Sequence, residues 1–273
     1  MKKIIPFAKV EATGNDFIIL DDREVQSEWI TPQIVEQWCD RHFGIGADGL
    51  IYVAFKDLKI PRMHFFNANG SRGEMCGNGL RAVAQYLLTI GVCDKKHENA
   101  IEADDGLHTY YFEEQGHSSV ELLVNDSAQN LPDLKTLSLP PGILLLGFKR
   151  IGVPHLVLES KQEKIDNFEK LGQTLRFHPI FGTAGTNVNL IFRLNQNTIR
   201  VRTYERGVEG ETLSCGTGVT ASALLFWGKN KQQNAELNIE TRGGNLKVAR
   251  KEGRLFLTGP ANVVFVGQII LNR

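Results

Sequence analysis

Short apolar runs separated by turn-forming residues fill the first half of the chain. Such runs are typical of β-strands when glycine, asparagine and aspartate bound them. Thr31-Pro32 has the residue types of a helix N-cap and first helical position, which predicts a helix running to Phe43. Apolar residues at helical spacing predict a second helix from Gly77 to Ile90. The predicted strands are residues 4–10, 17–21, 50–55, 62–67, 101–104, 107–113 and 120–124.

The second half repeats this order of strands followed by a helix. Its predicted helix covers residues 216–227 and carries no charged residue from Leu213 to Gly228. Because a helix without a charged face is usually buried, we expect the surrounding strands to enclose it. The predicted strands are residues 143–148, 156–158, 188–192, 199–204, 237–241, 246–249, 255–258 and 263–266.

A four-residue motif occurs once in each half, at the start of the predicted helix. It reads Cys-Gly-Asn-Gly at 76–79 and Cys-Gly-Thr-Gly at 215–218. The repeat predicts an α+β fold of two pseudo-symmetric domains, each a mostly antiparallel or mixed sheet wrapped around a central helix. We expect the active site in the interdomain cleft, with the two cysteines facing each other. The predicted domains are residues 1–116 and 117–261, with 262–273 returning to the first.

The composition is that of an ordinary globular protein, with 42% hydrophobic and 23% charged residues. Lys plus Arg and Asp plus Glu both total 31, so we expect neither a nucleic-acid nor a membrane partner. The first apolar run is too short for a signal-peptide core, which predicts a cytoplasmic location. The four cysteines include no Cys-x-x-Cys pair, and in a reducing compartment we expect them to be thiols.

A cysteine at a helix start is suited to acid–base chemistry on a carboxylate substrate. The first N–H groups of a helix lack internal partners and, with the helix dipole, form an anion site. Adjacent glycines let a ligand approach the backbone closely. The same environment lowers a cysteine pKa from about 8.5. A carboxylate bound there would therefore place its α-carbon beside a thiolate.

Two such cysteines can invert a stereocentre. One thiolate removes the α-proton while a thiol on the opposite face donates another, and the two exchange roles in the reverse direction. The α-proton of an amino acid is weakly acidic, so the developing carbanion needs the electrostatic help that helix starts supply in a closed site. Cys76 and Cys215 therefore predict a cofactor-independent amino-acid epimerase.

At these residues the sequence resembles the diaminopimelate epimerases of bacterial lysine and peptidoglycan-precursor biosynthesis, and the resemblance runs nearly end to end. The paired cysteine motifs and the Glu-Arg-Gly segment carry most of its specificity. The matching segments are residues 12–17, 44–49, 66–71, 76–79, 154–155, 185–188, 204–207 and 211–218.

The resemblance implies interconversion of LL- and meso-2,6-diaminopimelate without pyridoxal phosphate or metal. It assigns the acid and base positions to Cys76 and Cys215, and a near-site position to His155. Arg206 suits a distal carboxylate, which it can bind through two hydrogen bonds, and Glu205 suits a distal ammonium. By resemblance, the reacting carboxylate is held by Gly77, Asn78, Gly216 and Thr217. The matching substrate-binding positions are Asn15, Asn67, Asn187, Glu205 and Arg206.

The chain departs from the family pattern at three places. Val153 stands where the family often has asparagine, and Gly49 where some members have a substrate-binding glutamine. The segment from Glu205 to Glu211 is one residue longer. Since Val153 cannot donate an amide hydrogen bond, we expect the distal end of the substrate to be recognised differently.

Three other functions are compatible with some of these residues. Another two-thiol racemase, such as a proline racemase-like enzyme, is the nearest alternative, followed by a Cys–His hydrolase using His155 and by a non-catalytic binding protein. The glycines of residues 44–49 spell a dinucleotide fingerprint but follow a predicted helix rather than a strand. Cys39 and Cys93 are expected to be packing residues. The sequence leaves the oligomeric state open, with a homodimer as one option.

Overall fold

The computed structural model describes residues 2–55, 60–124, 132–162, 165, 167–230 and 236–272. The chain divides into two units, Met1–Glu121 with Gly259–Arg273, and Leu122–Thr258. The described helices are α1 Pro32–Cys39, α2 Gly77–Thr89, α3 Phe168–Arg176 and α4 Gly216–Asn230. The described strands are β1 Lys2–Ala12, β2 Asn15–Asp21, β3 Gly49–Ala54, β4 Arg62–Asn67, β5 Asn99–Ala103, β6 Gly106–Phe112, β7 Ser118–Glu121, β8 Ile143–Ile151, β9 Val153–Ser160, β10 Asn187–Arg193, β11 Thr198–Glu205, β12 Gly210–Thr212, β13 Glu236–Thr241, β14 Gly244–Lys251, β15 Arg254–Gly259 and β16 Asn262–Asn272.

The first unit is a mixed sheet curved around α2. Its strand order is β16-β1-β2-β3-β4-β5-β6-β7, with β2–β3 and β4–β5 parallel and the other neighbours antiparallel. Helix α2 contacts β16 and β1 at one end of this order and β7 at the other, so the sheet must bend around the helix. Leu80, Val83, Ala84 and Leu87 of α2 are fully buried, which confirms the helix predicted from their spacing.

The first helix is shorter than the sequence predicts. Thr31 caps it by accepting a hydrogen bond from the backbone N–H of Ile34, as expected, but α1 ends at Cys39 rather than Phe43. Asp40 is the reason, because its Oδ1 accepts hydrogen bonds from the backbone N–H groups of His42 and Phe43, both at 2.7 Å. An aspartate that bonds the following N–H groups favours a turn over a continued helix.

The second unit has the same plan around α4. Its strand order is β15-β14-β13-β11-β10-β9-β8, and β12 pairs with β11. Neighbours are antiparallel except β9–β10 and β11–β13, which are parallel. Helix α4 contacts β8, β9, β10, β11 and β14, and its buried residues lie on all sides, as the charge-free sequence predicted. The two units confirm the α+β class, with a mixed sheet around a central helix in each.

An outer helix covers the other face of each sheet, and of these two helices only α1 was predicted from the sequence. In the first unit, Val35 and Trp38 of α1 pack with Ile18 and Leu20 of β2. In the second unit, Phe168 and Leu175 of α3 pack with strand residues of β9 and β10. Alternate residues of a strand face opposite sides, so strands buried on both faces become continuous apolar runs.

The domain limits inferred from sequence stay a prediction. The last strand, β16, pairs along its length with β1 in the first unit.

Within the described part of the chain, no helix has both the length and the apolar character needed to cross a bilayer.

Candidate active site

Cys76 is the N-cap of α2. Its backbone is extended, with φ −128° and ψ 107°, and its Sγ accepts a hydrogen bond from the backbone N–H of Gly79 at 3.3 Å. Sulfur thus takes the place usually held by a serine or aspartate oxygen at a helix N-cap. Gly77, Asn78 and Gly79 form the buried first turn, and the N–H groups at a helix start favour an anion.

Asn15 lies beside Cys76 with its amide held in one orientation. Its Nδ2 donates to the Asp48 carboxylate at 2.8 Å, and a carboxylate only accepts. Its Oδ1 therefore faces Asn78 Nδ2 at 3.3 Å and Cys76 Sγ at 3.9 Å. Asn15, Cys76 and Asn78, all predicted from sequence as site residues, are brought together in the first unit.

A network of charged side chains supports Asn15 from the adjoining loop. Asp16 pairs with Lys9 at 2.7 Å and with Arg41 at 2.8 Å, and Arg41 also contacts Asp48 at 2.7 Å. Burial by itself would raise the pKa of Asp16, but hydrogen bonds and charges from Arg41 and Lys9 outweigh it and lower the pKa to about 2. Asp16 is therefore ionised at neutral pH, and the network fixes Asp48 and, through it, Asn15.

Arg81 is a buried cation on α2, one turn after the cysteine. It has no exposed surface and donates to Asn78 Oδ1 at 2.7 Å, to Thr13 Oγ1 at 3.0 Å and to the Pro260 carbonyl at 2.7 Å. Burial lowers the pKa of Arg81 to about 10 and outweighs the opposing electrostatic effects of Cys76 and Glu11. Arg81 thus orients Asn78 and places a positive charge near the start of α2.

Cys215 directly precedes α4 in the second unit and is buried. Its Sγ lies 3.4 Å from Thr217 Oγ1, and Thr217 Oγ1 lies 3.0 Å from His155 Nε2. The position that corresponds to Arg81 in the repeat is Thr220, whose hydroxyl bonds the Gly216 carbonyl. The two cysteine motifs therefore share their position at a helix start. They differ further along the helix, where α2 has the cation Arg81 and α4 has the neutral Thr220.

His155 is neutral and fully buried. Burial is the largest cause that lowers its pKa to about 3, and the charges of Arg206 and Arg150 act in the same direction. Its other ring nitrogen, Nδ1, lies 3.2 Å from Asn189 Nδ2. His155 thus connects Thr217 to the interior of the sheet and holds no proton that it could release as an imidazolium at neutral pH.

Asn187 and Arg206 lie together, and Asn187 is the neighbour of His155 across β9 and β10. The Arg206 backbone N–H donates to Asn187 Oδ1 at 2.7 Å, and Glu205 is the last residue of β11. The segment after Glu205 is fastened by Glu209, whose carboxylate accepts from Arg176 at 2.9 Å and from the Gly207 backbone at 3.0 Å. This segment is thus held by an ion pair.

The structure also places the predicted residue Asn67 and the two positions, Gly49 and Val153, that depart from the family pattern. Asn67 ends β4, and its Nδ2 donates to Ser71 Oγ at 3.0 Å, within the turn that follows. A Cβ at Gly49 would lie 2.6 Å from both the Phe65 ring and the Phe66 carbonyl, so a glutamine does not fit there without rearrangement. Val153 pairs with Ile151 at the turn between β8 and β9.

The remaining two cysteines lack the helix-start environment. Cys39 is buried at the end of α1, and burial raises its pKa to about 12. Cys93 is half-buried, and burial also raises its pKa. Thiols with raised pKa values are poor nucleophiles and bases at neutral pH, which agrees with their prediction as packing residues.

Sequence reasoning missed Arg81, Asp48, Asn189 and Thr203. Two of them carried a visible signal. Arg81 is a charged residue inside the apolar stripe of a buried helix, and Asn189 is an amide in the middle of the apolar run 188–192. Buried polar groups of this kind need partners, and such partners are often found at a functional site.

Comparison with known proteins identifies the family. The family model described as diaminopimelate epimerase matches residues 7–126 and 147–264. A diaminopimelate epimerase of Aquifex aeolicus is 35% identical over 275 residues, covering 96% of this chain and 97% of the relative.

Solved structures with the same fold include a phenazine biosynthesis protein of the PhzF family from Bacillus anthracis, with TM-score 0.72, 16% identity and coverage of 98% of this chain and 99% of that chain. A hydroxyproline epimerase from Agrobacterium vitis has TM-score 0.72 and 13% identity, with coverage of 99% and 93%. These two likenesses concern the fold alone. The family match and the relative together confirm the resemblance read from the sequence motifs: the chain belongs to the diaminopimelate epimerase family.

Proposed function

We propose that this protein interconverts LL- and meso-2,6-diaminopimelate without a cofactor, using Cys76 and Cys215 as acid and base at one α-carbon. The observation that carries the proposal is the matched position of the two thiols, each at the start of a buried, glycine-rich helix. Family membership supports the substrate, since the relatives are named diaminopimelate epimerases. The reaction belongs to lysine and peptidoglycan-precursor biosynthesis.

The helix starts bind the reacting carboxylate in this account. Backbone N–H groups of Gly77, Asn78, Gly216 and Thr217 stabilise the carboxylate and the negative charge that develops beside it. One cysteine, as thiolate, takes the α-proton, and the other, as thiol, gives a proton to the opposite face. The C–H bond that breaks and the one that forms leave the substrate inverted and the two sulfur protonation states exchanged.

The distal end of the substrate binds side chains of the remaining predicted positions. Arg206 pairs with the distal carboxylate through two hydrogen bonds, and Glu205 pairs with the distal ammonium. Asn187 supports Arg206, whose backbone it already bonds. Asn15 and Asn67 complete the set of ligands. With Phe65 filling the space beside Gly49, distal recognition relies on the longer segment after Glu205 instead of a glutamine at that position.

Isotope exchange tests the substrate. Incubated in heavy water, LL-diaminopimelate is expected to incorporate deuterium at an α-carbon and yield the meso isomer, whereas proline stays protiated. A proline racemase-like enzyme gives the opposite selectivity. Exchange into proline with none into diaminopimelate would reject the proposed substrate, and exchange into neither would favour a binding protein.

A Cys–His hydrolase is disfavoured by the hydrogen bonds of His155. Among the described residues, the two ring nitrogens of His155 bond Thr217 and Asn189 rather than a cysteine sulfur. The low pKa of this buried histidine also makes it a weak base at neutral pH. A hydrolase would in addition need only one of the two cysteines.

We also propose a cytoplasmic homodimer, joined through the face that β1 and β16 share. Ile4 and Ile270 are paired across these strands, and they and Val266 are 59%, 55% and 72% exposed. A long edge strand with exposed apolar residues favours pairing with a second copy.

Sedimentation is expected to give twice the chain mass of 30.5 kDa. The double variant Val266→Lys/Ile270→Lys is expected to give the mass of one chain, and a wild-type mass of one chain would contradict the dimer.

A further inference from the structure

A chain of four buried polar side chains leads from the interior of the second unit to the sulfur of Cys215. His155 of β9, Asn189 of β10, Thr203 of β11 and Thr217 of α4 have between 0% and 5% exposure. The sheet register brings them together, because Asn189 pairs with Thr203 across β10 and β11. With almost no access to water, these groups must satisfy one another, which restricts the direction of each hydrogen bond.

The amide of Asn189 has one allowed orientation. Its Nδ2 lies 3.2 Å from the Leu156 carbonyl and 3.2 Å from His155 Nδ1, and its Oδ1 accepts from Thr203 Oγ1 at 3.0 Å. A backbone carbonyl only accepts, so reversing the amide would bring two oxygens together at Leu156. Asn189 therefore presents an N–H group to His155.

This orientation determines the tautomer of His155. Since Nδ1 accepts from Asn189, the single ring proton of the neutral imidazole resides on Nε2. Nε2–H then donates to Thr217 Oγ1 at 3.0 Å. Within the described residues, the other partner of the Thr217 hydroxyl is Cys215 Sγ at 3.4 Å. The hydroxyl hydrogen of Thr217 is thereby directed at the sulfur.

We propose that Asn189 and Thr203 are positioning residues that set the Nε2–H tautomer of His155, so that Thr217 donates a hydrogen bond to the sulfur of Cys215. The inference rests on the proposed function in one respect, since a donor at the sulfur matters to the reaction because Cys215 becomes a thiolate each time it gives up its proton. A donor already oriented stabilises that charge without rearrangement. The chain acts through Thr217, and neither Asn189 nor Thr203 touches the substrate.

Nitrogen NMR of the full-length protein labelled with ¹⁵N-histidine tests the tautomer directly. At neutral pH, His155 is expected to show the pattern of a protonated Nε2 and an unprotonated Nδ1. In Asn189→Asp, the new carboxylate accepts from Nδ1–H, so the pattern is expected to reverse. A wild-type His155 with the proton on Nδ1, or with both nitrogens protonated, would overturn the proposal even if no variant folds.

Kinetics with diaminopimelate separates positioning from structural support. Thr203→Val removes the hydroxyl, whereas Thr203→Ser keeps it, and both are smaller than or equal in size to threonine. We expect Thr203→Val to lower kcat by about tenfold with little change in KM, and Thr203→Ser to behave as wild type. Equal kcat values for the two variants would contradict the inference. Because the NMR pattern needs no substrate, absence of turnover would reject the proposed function and leave the tautomer result independent.

Discussion

Alanine in place of either Cys76 or Cys215 is expected to lower kcat/KM for diaminopimelate epimerisation by about 10²- to 10⁴-fold or more, the contribution of a positioned acid or base. Inversion needs a proton taken from one face and given to the other, so the loss of one thiol is as damaging as the loss of the other. The measurement is the initial rate of conversion of LL- to meso-diaminopimelate for each purified variant, with thermal unfolding to verify folding.

Cys39→Ala and Cys93→Ala are the matched controls. Burial raises the pKa of both thiols, so neither contributes an acid or base at neutral pH, and both variants should retain turnover. If Cys76→Ala or Cys215→Ala kept wild-type activity, the two-thiol mechanism would be wrong.

Alanine at Gly218 is expected to be the most damaging single-methyl change in the second cysteine motif. A Cβ there would lie 2.3 Å from Asn189 Oδ1 and 3.3 Å from Cys215 Sγ, and the first of these distances is too short for any real Cβ contact. We expect the free energy of unfolding to fall by about 1–3 kcal/mol, as for other overpacked cores. Activity should fall further than stability accounts for, because Asn189 and Cys215 both move.

Gly228→Ala provides the control within the same helix. Gly228 is exposed, and nothing lies within 4 Å of its added Cβ. Since alanine is favoured over glycine in helices by up to about 1 kcal/mol, this variant should be equally or more stable, with unchanged activity. Denaturant unfolding and initial rates for the two variants decide the matter. A Gly218→Ala protein as stable and active as Gly228→Ala would contradict the described packing.

Much of the fold followed from local pattern. Helix α2 is predictable because Leu80, Val83, Ala84 and Leu87 repeat at helical spacing, and α4 because it lacks charge and is buried on all sides. Helix α3 was missed, since Gly172 interrupts its pattern and only one face is buried. The end of α1 was misplaced because the competing bonds from Asp40 depend on side-chain orientation, which residue type alone does not specify.

The candidate site likewise contains residues that the sequence predicts and residues that it does not. The repeated motif sufficed to place Cys76 and Cys215 at helix starts, where the structure has them. The supporting groups depend on strand register. Thr203 meets Asn189 only because β10 and β11 pair with that alignment, and His155 lies beside Asn187 only through the parallel pairing of β9 and β10. Such contacts join residues far apart in sequence, so no local pattern reveals them.

The difference between the two motifs has a chemical meaning. The buried cation Arg81 lies near Cys76 on α2. Cys215 instead contacts Thr217, which is hydrogen-bonded to the neutral His155. The repeated backbone positions give the two thiols similar helix-start environments, while these supporting side chains make the environments unequal. Matched acid–base groups with different surroundings suit a reaction in which one thiol begins ionised and the other protonated.

The most direct test of the account is whether the hydrogen at the inverted carbon comes from the solvent. The reaction of LL-diaminopimelate in heavy water is stopped early, and the deuterium content of residual substrate and new meso product is measured by mass spectrometry. Two bases on opposite faces predict a meso product with a single deuterium at the inverted carbon and a residual substrate that is still protiated. A meso product that keeps its original protium at that carbon would contradict the two-thiol mechanism.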